Sequence, residues 1–405
     1  MELRPYQETL STDACSILER KGLVYFNIEV RCGKTLIALE TCKKFGAKNV
    51  LFITKIKAFS SIQWDYDNFG YKFNLTIINK ESIHKIESNN FDVIVYDEVH
   101  QYGAFPKAGT NQKELRKRFA DIPAIMMTGT STPESYSQIF HQLQLSNKSP
   151  FRNYINFYKW AADYVNVKIK NLGYAKVNDY SDANIEKIRG MMRHFVLTFT
   201  QEQAGFKSSV DEMIIELEMK PITYQIIKKL QKDLVVISKS GKTIVADTGA
   251  KLMQKVHQLS SGTIKLDDGS ISIIDDTKAQ YIKDNFSEYK IGIFYKYVAE
   301  FETLKQVFGD KITTDLNEFN TTDKWIAYQY VSGREGINLS KADYLVMYSI
   351  DFSAVTYFQA KDRMTVKDRK ENRIFWLFGK RTIENKIYKT VQHKKNFTLS
   401  HFNSK

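Results

Sequence analysis

Proline is scarce in this chain, at 6 of 405 residues, which leaves little room for proline-rich linkers or disordered connectors. Cysteine is scarcer still. Cys15, Cys32 and Cys42 have no paired metal-ligand spacing and suit a reducing cytosol, so neither a disulfide framework nor a zinc module is expected. No apolar run approaches the length of a membrane span, and the opening residues MELRPYQ lack a signal-peptide core. A cytoplasmic location is the expectation. Internal repeats and low-complexity tracts are missing as well, apart from a possible duplication of one α/β plan.

Acidic residues are outnumbered, at 46 against 59 Lys and Arg, for a net charge of +13. The excess is uneven: residues 361–405 carry 13 Lys/Arg and 4 Asp/Glu. A basic surface points to a polyphosphate partner, most simply nucleic acid, although a solubilising tail explains the last dozen residues equally well. Length and a hydrophobic content of 43% allow two domains with cores of their own.

Two stretches carry chemistry. Val30 to Thr35 read VRCGKT after an apolar run, and Val93 to His100 read VIVYDEVH. A Gly-Lys-Thr turn between strand and helix offers backbone N–H groups for phosphates, a lysine for the outer phosphates and a hydroxyl for Mg²⁺. Arg31, Cys32, Gly33, Lys34 and Thr35 are therefore the candidate phosphate loop, with Thr35 and Asp97 as candidate Mg²⁺ ligands. Glu98 is placed to orient an attacking water. Each motif alone reduces to a surface turn or a solvated acidic pair; their order makes the pair specific. The full G-x-x-x-x-G-K-T pattern fails, because Ile28 stands five before Gly33 and Arg31 replaces a common glycine. That argues against kinase-like and GTPase-like relatives.

Short apolar strands at Val24–Ile28, Val50–Thr54, Leu75–Ile78, Val93–Tyr96 and Ala124–Thr128 alternate with polar helices, which predicts a parallel sheet covered on both faces. Helices are expected over 6–20, 34–45, 135–145, 151–164, 183–195 and 222–238, with Phe157, Trp160 and Tyr164 as packing residues. A strand is read at Asp211–Met219 and a hairpin turn at Asp268-Gly269. A second alternating segment places strands at Ile291–Tyr295, Trp325–Tyr328, Tyr344–Tyr348 and Ile374–Phe378, with a last helix over 382–396. The expected division is a first domain over 1–148, a helical insertion and linker over 149–275, and a second domain over 276–405.

Two α/β segments, the first with GKT and DE, resemble the paired RecA-like domains of superfamily-two helicases and translocases. Leu3-Arg4-Pro5-Tyr6-Gln7 looks like the adenine-recognition motif of the Swi/Snf branch. Gln63-Trp64 follows the second strand as it does there, and Thr128-Gly129-Thr130 with Pro133 resembles its TGTP motif. Gly336-Ile337-Asn338-Leu339 resembles GINL, and Gln359-Ala360 with Arg363 resembles QAxxR. The resemblance covers nearly the whole chain, in order. The compact length suggests small phage-encoded members of that branch, which would place the protein in host cytoplasm.

The resemblance implies ATP and Mg²⁺ as cofactors, with Arg4 and Gln7 at the adenine and Gly336 among the nucleotide contacts. It implies an arginine from the second domain acting on the γ-phosphate. Arg363 stands four after Gln359, but the usual finger position seven after it is Val366. Arg363 is the first candidate, with Arg369 or Lys367 as substitutes. Nucleic-acid contacts are expected from Lys55 and Lys57 after the second strand, Asn79 and Lys80 after the third, Thr128, and Ser332 with Arg334. The implied function is an ATP-driven motor on duplex or branched DNA, acting as a monomer. An RNA helicase and a nucleic-acid-binding scaffold of little ATPase power remain the alternatives.

Overall fold

The structure, a computed structural model, describes residues 2–129, 131–133, 135–171, 176–206, 209–237, 241–333, 337–361, 363, 371–393 and 402. It divides into two compact units, residues 1–206 and 207–405.

In the first unit, strands β1 (Leu23–Ile28), β2 (Asn49–Ile53), β3 (Asn74–Ile78), β4 (Val93–Tyr96) and β5 (Ala124–Thr128) join a later strand in one parallel sheet. Helix α1 (Pro5–Lys21) precedes them, and α2 (Lys34–Lys44), α3 (Phe59–Asn68) and α4 (Thr110–Phe119) lie between them in the chain. The inner strands β1, β2, β4 and β5 are almost wholly buried, as a sheet covered on both faces requires. Alternate residues serve opposite layers. Val24 and Phe26 pack with Leu10, Ala14 and Ile37 of α1 and α2, whereas Leu23 and Tyr25 pack with Phe140 and Trp160.

The region expected as one helix over 135–145 is a 3-10 turn at Tyr136–Gln138 followed by α5 (Ile139–Leu143). The helix expected from 151 begins only at α6 (Phe157–Tyr164), where the Asn156 side chain accepts the Lys159 N–H and fixes the start. Phe157, Trp160 and Tyr164 are buried in an aromatic cluster with Phe140 and Phe151, as their spacing implied. A hairpin, β6 (Lys168–Asn171) with β7 (Lys176–Asp179), leads to α7 (Ile185–Met192) and to β8 (Val196–Phe199). β8 pairs with β1, giving the order β3-β2-β4-β5-β1-β8.

The second unit opens with β9 (Ser209–Leu217), then α8 (Pro221–Asp233), β10 (Val235–Ile237), β11 (Thr243–Val245), α9 (Gly249–Ser260), and the hairpin β12 (Thr263–Lys265) and β13 (Ile271–Ile273). The Asp268-Gly269 turn joins the hairpin: Gly269 sits at φ +85°, and Asp268 accepts the Ser270 N–H. Then follow α10 (Thr277–Phe286), β14 (Ile291–Tyr295), α11 (Val298–Phe308), β15 (Ile312–Thr313), α12 (Leu316–Thr321), β16 (Trp325–Gln329), α13 (Tyr330–Gly333), β17 (Tyr344–Met347), α14 (Ala354–Lys361), β18 (Glu371–Gly379) and α15 (Glu384–Gln392). The sheet runs β15-β16-β14-β17-β18-β9, every pair parallel.

Each unit is therefore a six-stranded parallel sheet with helices around it, the paired RecA-like plan. Of the segment 149–275, residues through 206 lie in the first unit, where β8 is an edge strand. The rest lies in the second, where β9 is an edge strand. The segment includes strands as well as helices.

Candidate nucleotide site

The phosphate loop leaves the buried β1 and enters α2. Gly33 takes φ +75° and caps α2, and Arg31 also has positive φ, at +63°. Two left-handed residues within three positions turn the chain sharply enough to start the helix directly above the strand. Cys32 is buried beneath, and no acidic residue sits in the first turn of α2. The helix N-terminus therefore keeps its positive end for an anion. The Lys34 ammonium donates to the carbonyls of Ile28 and Glu29, at 3.0 and 3.2 Å, folding back over its own loop. Thr35 follows in the same turn, half-buried.

The acidic pair stands at the end of β4. The Thr54 hydroxyl donates to Asp97 Oδ2 at 2.7 Å, and the Glu98 N–H donates to Asp97 Oδ1 at 2.9 Å, so both carboxylate oxygens are held. Glu98 adopts the left-handed conformation, φ 48° and ψ 48°, rare for a residue with a β-carbon and found disproportionately at functional sites. Its Oε2 lies 3.1 Å from His100 Nδ1 and 3.4 Å from the Thr128 hydroxyl. His100 Nδ1 and Thr128 Oγ1 are 3.0 Å apart.

These groups meet because of strand order. β5 lies between β4, which carries the carboxylates, and β1, which carries the loop. The end of β5 therefore falls between Lys34 and Glu98. A β-carbon on Gly129 would sit 3.0 Å from Val30 Cγ1 and 3.4 Å from the Lys34 ammonium, so glycine keeps this approach open. Burial, then the adjacent Glu98 charge, push the Asp97 carboxyl up to about 6. Burial also acts to raise Glu98, but its bond to His100 and the charges of His100, Lys34 and Lys55 outweigh it and hold Glu98 down to about 2.

The arrangement fits Mg²⁺ and a polyphosphate. A buried carboxylate at Asp97, resisting ionisation, is stabilised by a divalent cation, and hard oxygen donors are the donor type Mg²⁺ requires. A lysine resting on carbonyls beside a helix start that has no side-chain cap suits phosphate oxygens. The first residues also converge on the loop. Gln7 is buried, its Oε1 accepts the Arg4 N–H at 2.9 Å, and its Nε2 lies 2.1 Å from where a Gly33 β-carbon would project. Arg4 donates to the Tyr6 hydroxyl, and the Tyr6 ring stacks on Phe199 at 4.8 Å.

Two contributors were not singled out from sequence. Thr54 orients Asp97. Gln201 donates its backbone N–H to the Glu29 carboxylate at 2.7 Å and its side chain to the Val30 carbonyl at 3.1 Å, and so braces the loop from the far end of unit one. The Thr54 position, one residue past an apolar strand, was a usable signal; the Gln201 contact joins residues 172 apart and left no local trace.

The other expected residues are spread more widely. Lys55 acts electrostatically on Glu98 and so belongs with the carboxylates. Lys57 is exposed. The Asn79 side chain donates to Glu81, and Lys80 donates to Gln101 at 2.9 Å. Thr128 is fully buried within the carboxylate cluster rather than on the surface expected of a nucleic-acid contact. In the second unit Arg363 is also buried. Its Nε donates to the Gln359 carbonyl at 2.8 Å and its Nη1 to the Ile337 carbonyl at 3.3 Å, while its own carbonyl accepts the Leu339 N–H. Ser332 lies in α13. Thr130, Arg334, Gly336, Val366, Lys367 and Arg369 lie outside the described residues.

No protein-family model and no curated protein matches this chain. Among solved structures it is similar to the Sulfolobus solfataricus SWI2/SNF2 ATPase core in complex with dsDNA. The identity is 13%, 97% of this chain and 91% of that chain are covered, and the TM-score is 0.44. It is also similar to the SWI2/SNF2 ATPase core domain of the same organism, at 12% identity, with 97% and 89% covered and a TM-score of 0.43.

Proposed function

We propose that the chain is an ATP-hydrolysing motor acting on duplex or branched DNA, moving along or remodelling it rather than processively unwinding it. The observation that carries the reading is the convergence of Lys34, Asp97, Glu98 and His100 around the Thr128-Gly129 end of β5. In this reading Lys34 exchanges its two carbonyl partners for phosphate oxygens. Thr35 and Asp97 hold Mg²⁺, whose charge neutralises the phosphates. Glu98, kept ionised, orients the attacking water, and His100 with Thr128 holds Glu98 in place. Arg4 and Gln7 lie at the adenine, and Gly336 contributes to the nucleotide contacts. Lys55, Lys57, Asn79, Lys80, Ser332 and Arg334 supply backbone contacts to DNA.

A second reading, a nucleic-acid-binding scaffold with little turnover, is favoured by one observation. Arg363, the cation proposed to stabilise the transferred phosphoryl group, is occupied by two backbone carbonyls. ATP turnover with and without duplex DNA, forked DNA and RNA separates the readings. Lys34→Ala is expected to weaken nucleotide binding. Glu98→Gln is expected to keep binding while turnover falls by two or more powers of ten, because the water-positioning carboxylate is gone (about 3 kcal/mol or more). Turnover like wild type in either variant excludes this site.

A further inference from the structure

The first unit carries a concave site that shares no residue with the phosphate loop or its carboxylates. It is a cavity of about 510 Å³ between α4, the loop before it and the start of α6. Lys107, Lys113, Arg116 and Lys117 line it, as do Ile155 and Tyr158. Lys113, Arg116 and Lys117 fall at helical spacing i, i+3 and i+4, which puts them on one side of α4. Among the described residues no carboxylate pairs with any of these four cations. Basic groups in the last turn of a helix also complement its dipole, which accounts for Arg116 and Lys117. It does not account for Lys113 at mid-helix or Lys107 on the preceding loop.

The apolar members are equally unusual. Ile155 is 88% exposed and Tyr158 47% exposed beside the cations. The Tyr158 ring is supported from behind by Phe157 and Tyr180, at 6.1 and 5.8 Å. The floor is rigid: Gln112, itself buried, donates to the His141 carbonyl, and His141 Nε2 lies 3.2 Å from the Pro106 carbonyl. Unpaired cations beside an exposed aromatic on a fixed floor form the combination that grips a strand's phosphates while an unstacked base rests on a ring. A duplex buries its bases and offers nothing to Tyr158.

We infer that this groove binds single-stranded nucleic acid, with phosphates on Lys107, Lys113, Arg116 and Lys117 and a base against Tyr158. The inference rests on the reading of nucleic acid as partner but not on ATP turnover. A motor with a single-strand site outside its nucleotide centre prefers forked or branched DNA to a blunt duplex.

The test measures affinity of the full chain for an oligothymidine of about twenty nucleotides, a blunt duplex and a fork with oligothymidine arms. Wild type is compared with Tyr158→Ala and with Lys113→Ala/Lys117→Ala, all exposed positions, and thermal melting verifies the fold. Each variant is expected to lose about tenfold or more in oligothymidine affinity and to leave the blunt duplex unaffected. The double lysine variant is expected to lower the salt slope for the single strand by about 1.4. The wild-type preference for the fork shrinks in parallel. Unchanged oligothymidine binding in both variants overturns the assignment. So does an equal loss on blunt duplex, which makes the groove a duplex contact, and so does competition by polyglutamate as effective as by oligothymidine. Wild type that binds none of the three DNAs defeats the nucleic-acid reading itself, before any variant is compared.

Discussion

His257 of α9 is fully buried in the second unit, its Nδ1 lying 2.9 Å from the Tyr297 hydroxyl and its ring against Phe352 at 4.6 Å. Its Nε2 has no hydrogen-bond partner among the described residues. Burial pushes its pKa well below the ordinary histidine value, and the charges of Lys296 and Lys278 push the same way. The unfolded chain therefore binds a proton below about 6.5 that the folded chain refuses, and stability falls on acidification by up to about 1.4 kcal/mol per pH unit. Glu384 has the opposite sign. Burial drives it up to about 7, against the pull of Lys278 and the Gly379 N–H, so the folded chain binds the extra proton between about 4.5 and 7. Wild type is expected to show a shallow profile in this window because the two offset each other. His257→Phe removes one of them: between pH 7 and 5 the variant should gain stability relative to wild type. Hydrogen exchange at β14 in the full chain, corrected for intrinsic rates, reads this difference. Parallel profiles for the two proteins would rule out a buried neutral His257 as the cause.

At the scale of elements, the apolar strands were legible because a parallel strand buried on both faces is a short unbroken run of β-branched and aromatic residues. Val93–Tyr96 and Ile291–Tyr295 appear at the positions read from sequence. β8 was not legible, and β9 was read as a strand without a place, because both are edge strands whose neighbours are distant in the chain. Val196 pairs with Tyr25, and Met213 with Phe375. The loop and acidic pair were legible as chemistry, whereas their bracing by Thr54 and Gln201 is tertiary. Arg363 shows the limit most clearly. The motif marks it as a candidate finger, yet its side chain ties the end of α14 to the segment leading into Leu339. Removing a charged donor from two carbonyls typically costs about 1.5–3 kcal/mol. Arg363→Ala is thus expected to destabilise the second unit by about that much, with turnover falling in step with the folded fraction. Urea unfolding and turnover, measured on the same preparation, decide. Unaltered stability with turnover lower by orders of magnitude would instead make Arg363 the phosphoryl-stabilising cation.

For the whole molecule, the net charge of +13 has two physical readings with different consequences. Diffuse positive charge speeds encounter with DNA and is screened beyond about 8 Å at physiological ionic strength, but it releases few bound counterions. A motor that grips the backbone with Lys55, Lys57, Asn79, Lys80, Ser332 and Arg334 neutralises particular phosphates, and each one releases condensed ions. Because these residues are spread over both units, contact with at least six phosphates is expected of the full chain. Duplex or forked DNA should then bind about a thousandfold more weakly at 200 mM than at 50 mM salt, with little difference between unrelated sequences, since no base edge is read. A titration series over that range, with two duplexes of different sequence, gives both quantities at once. Affinity that stays nearly flat with salt would reduce the basic excess to a solubilising surface. A steep slope combined with strong sequence discrimination would require base contacts that the backbone-gripping reading does not contain.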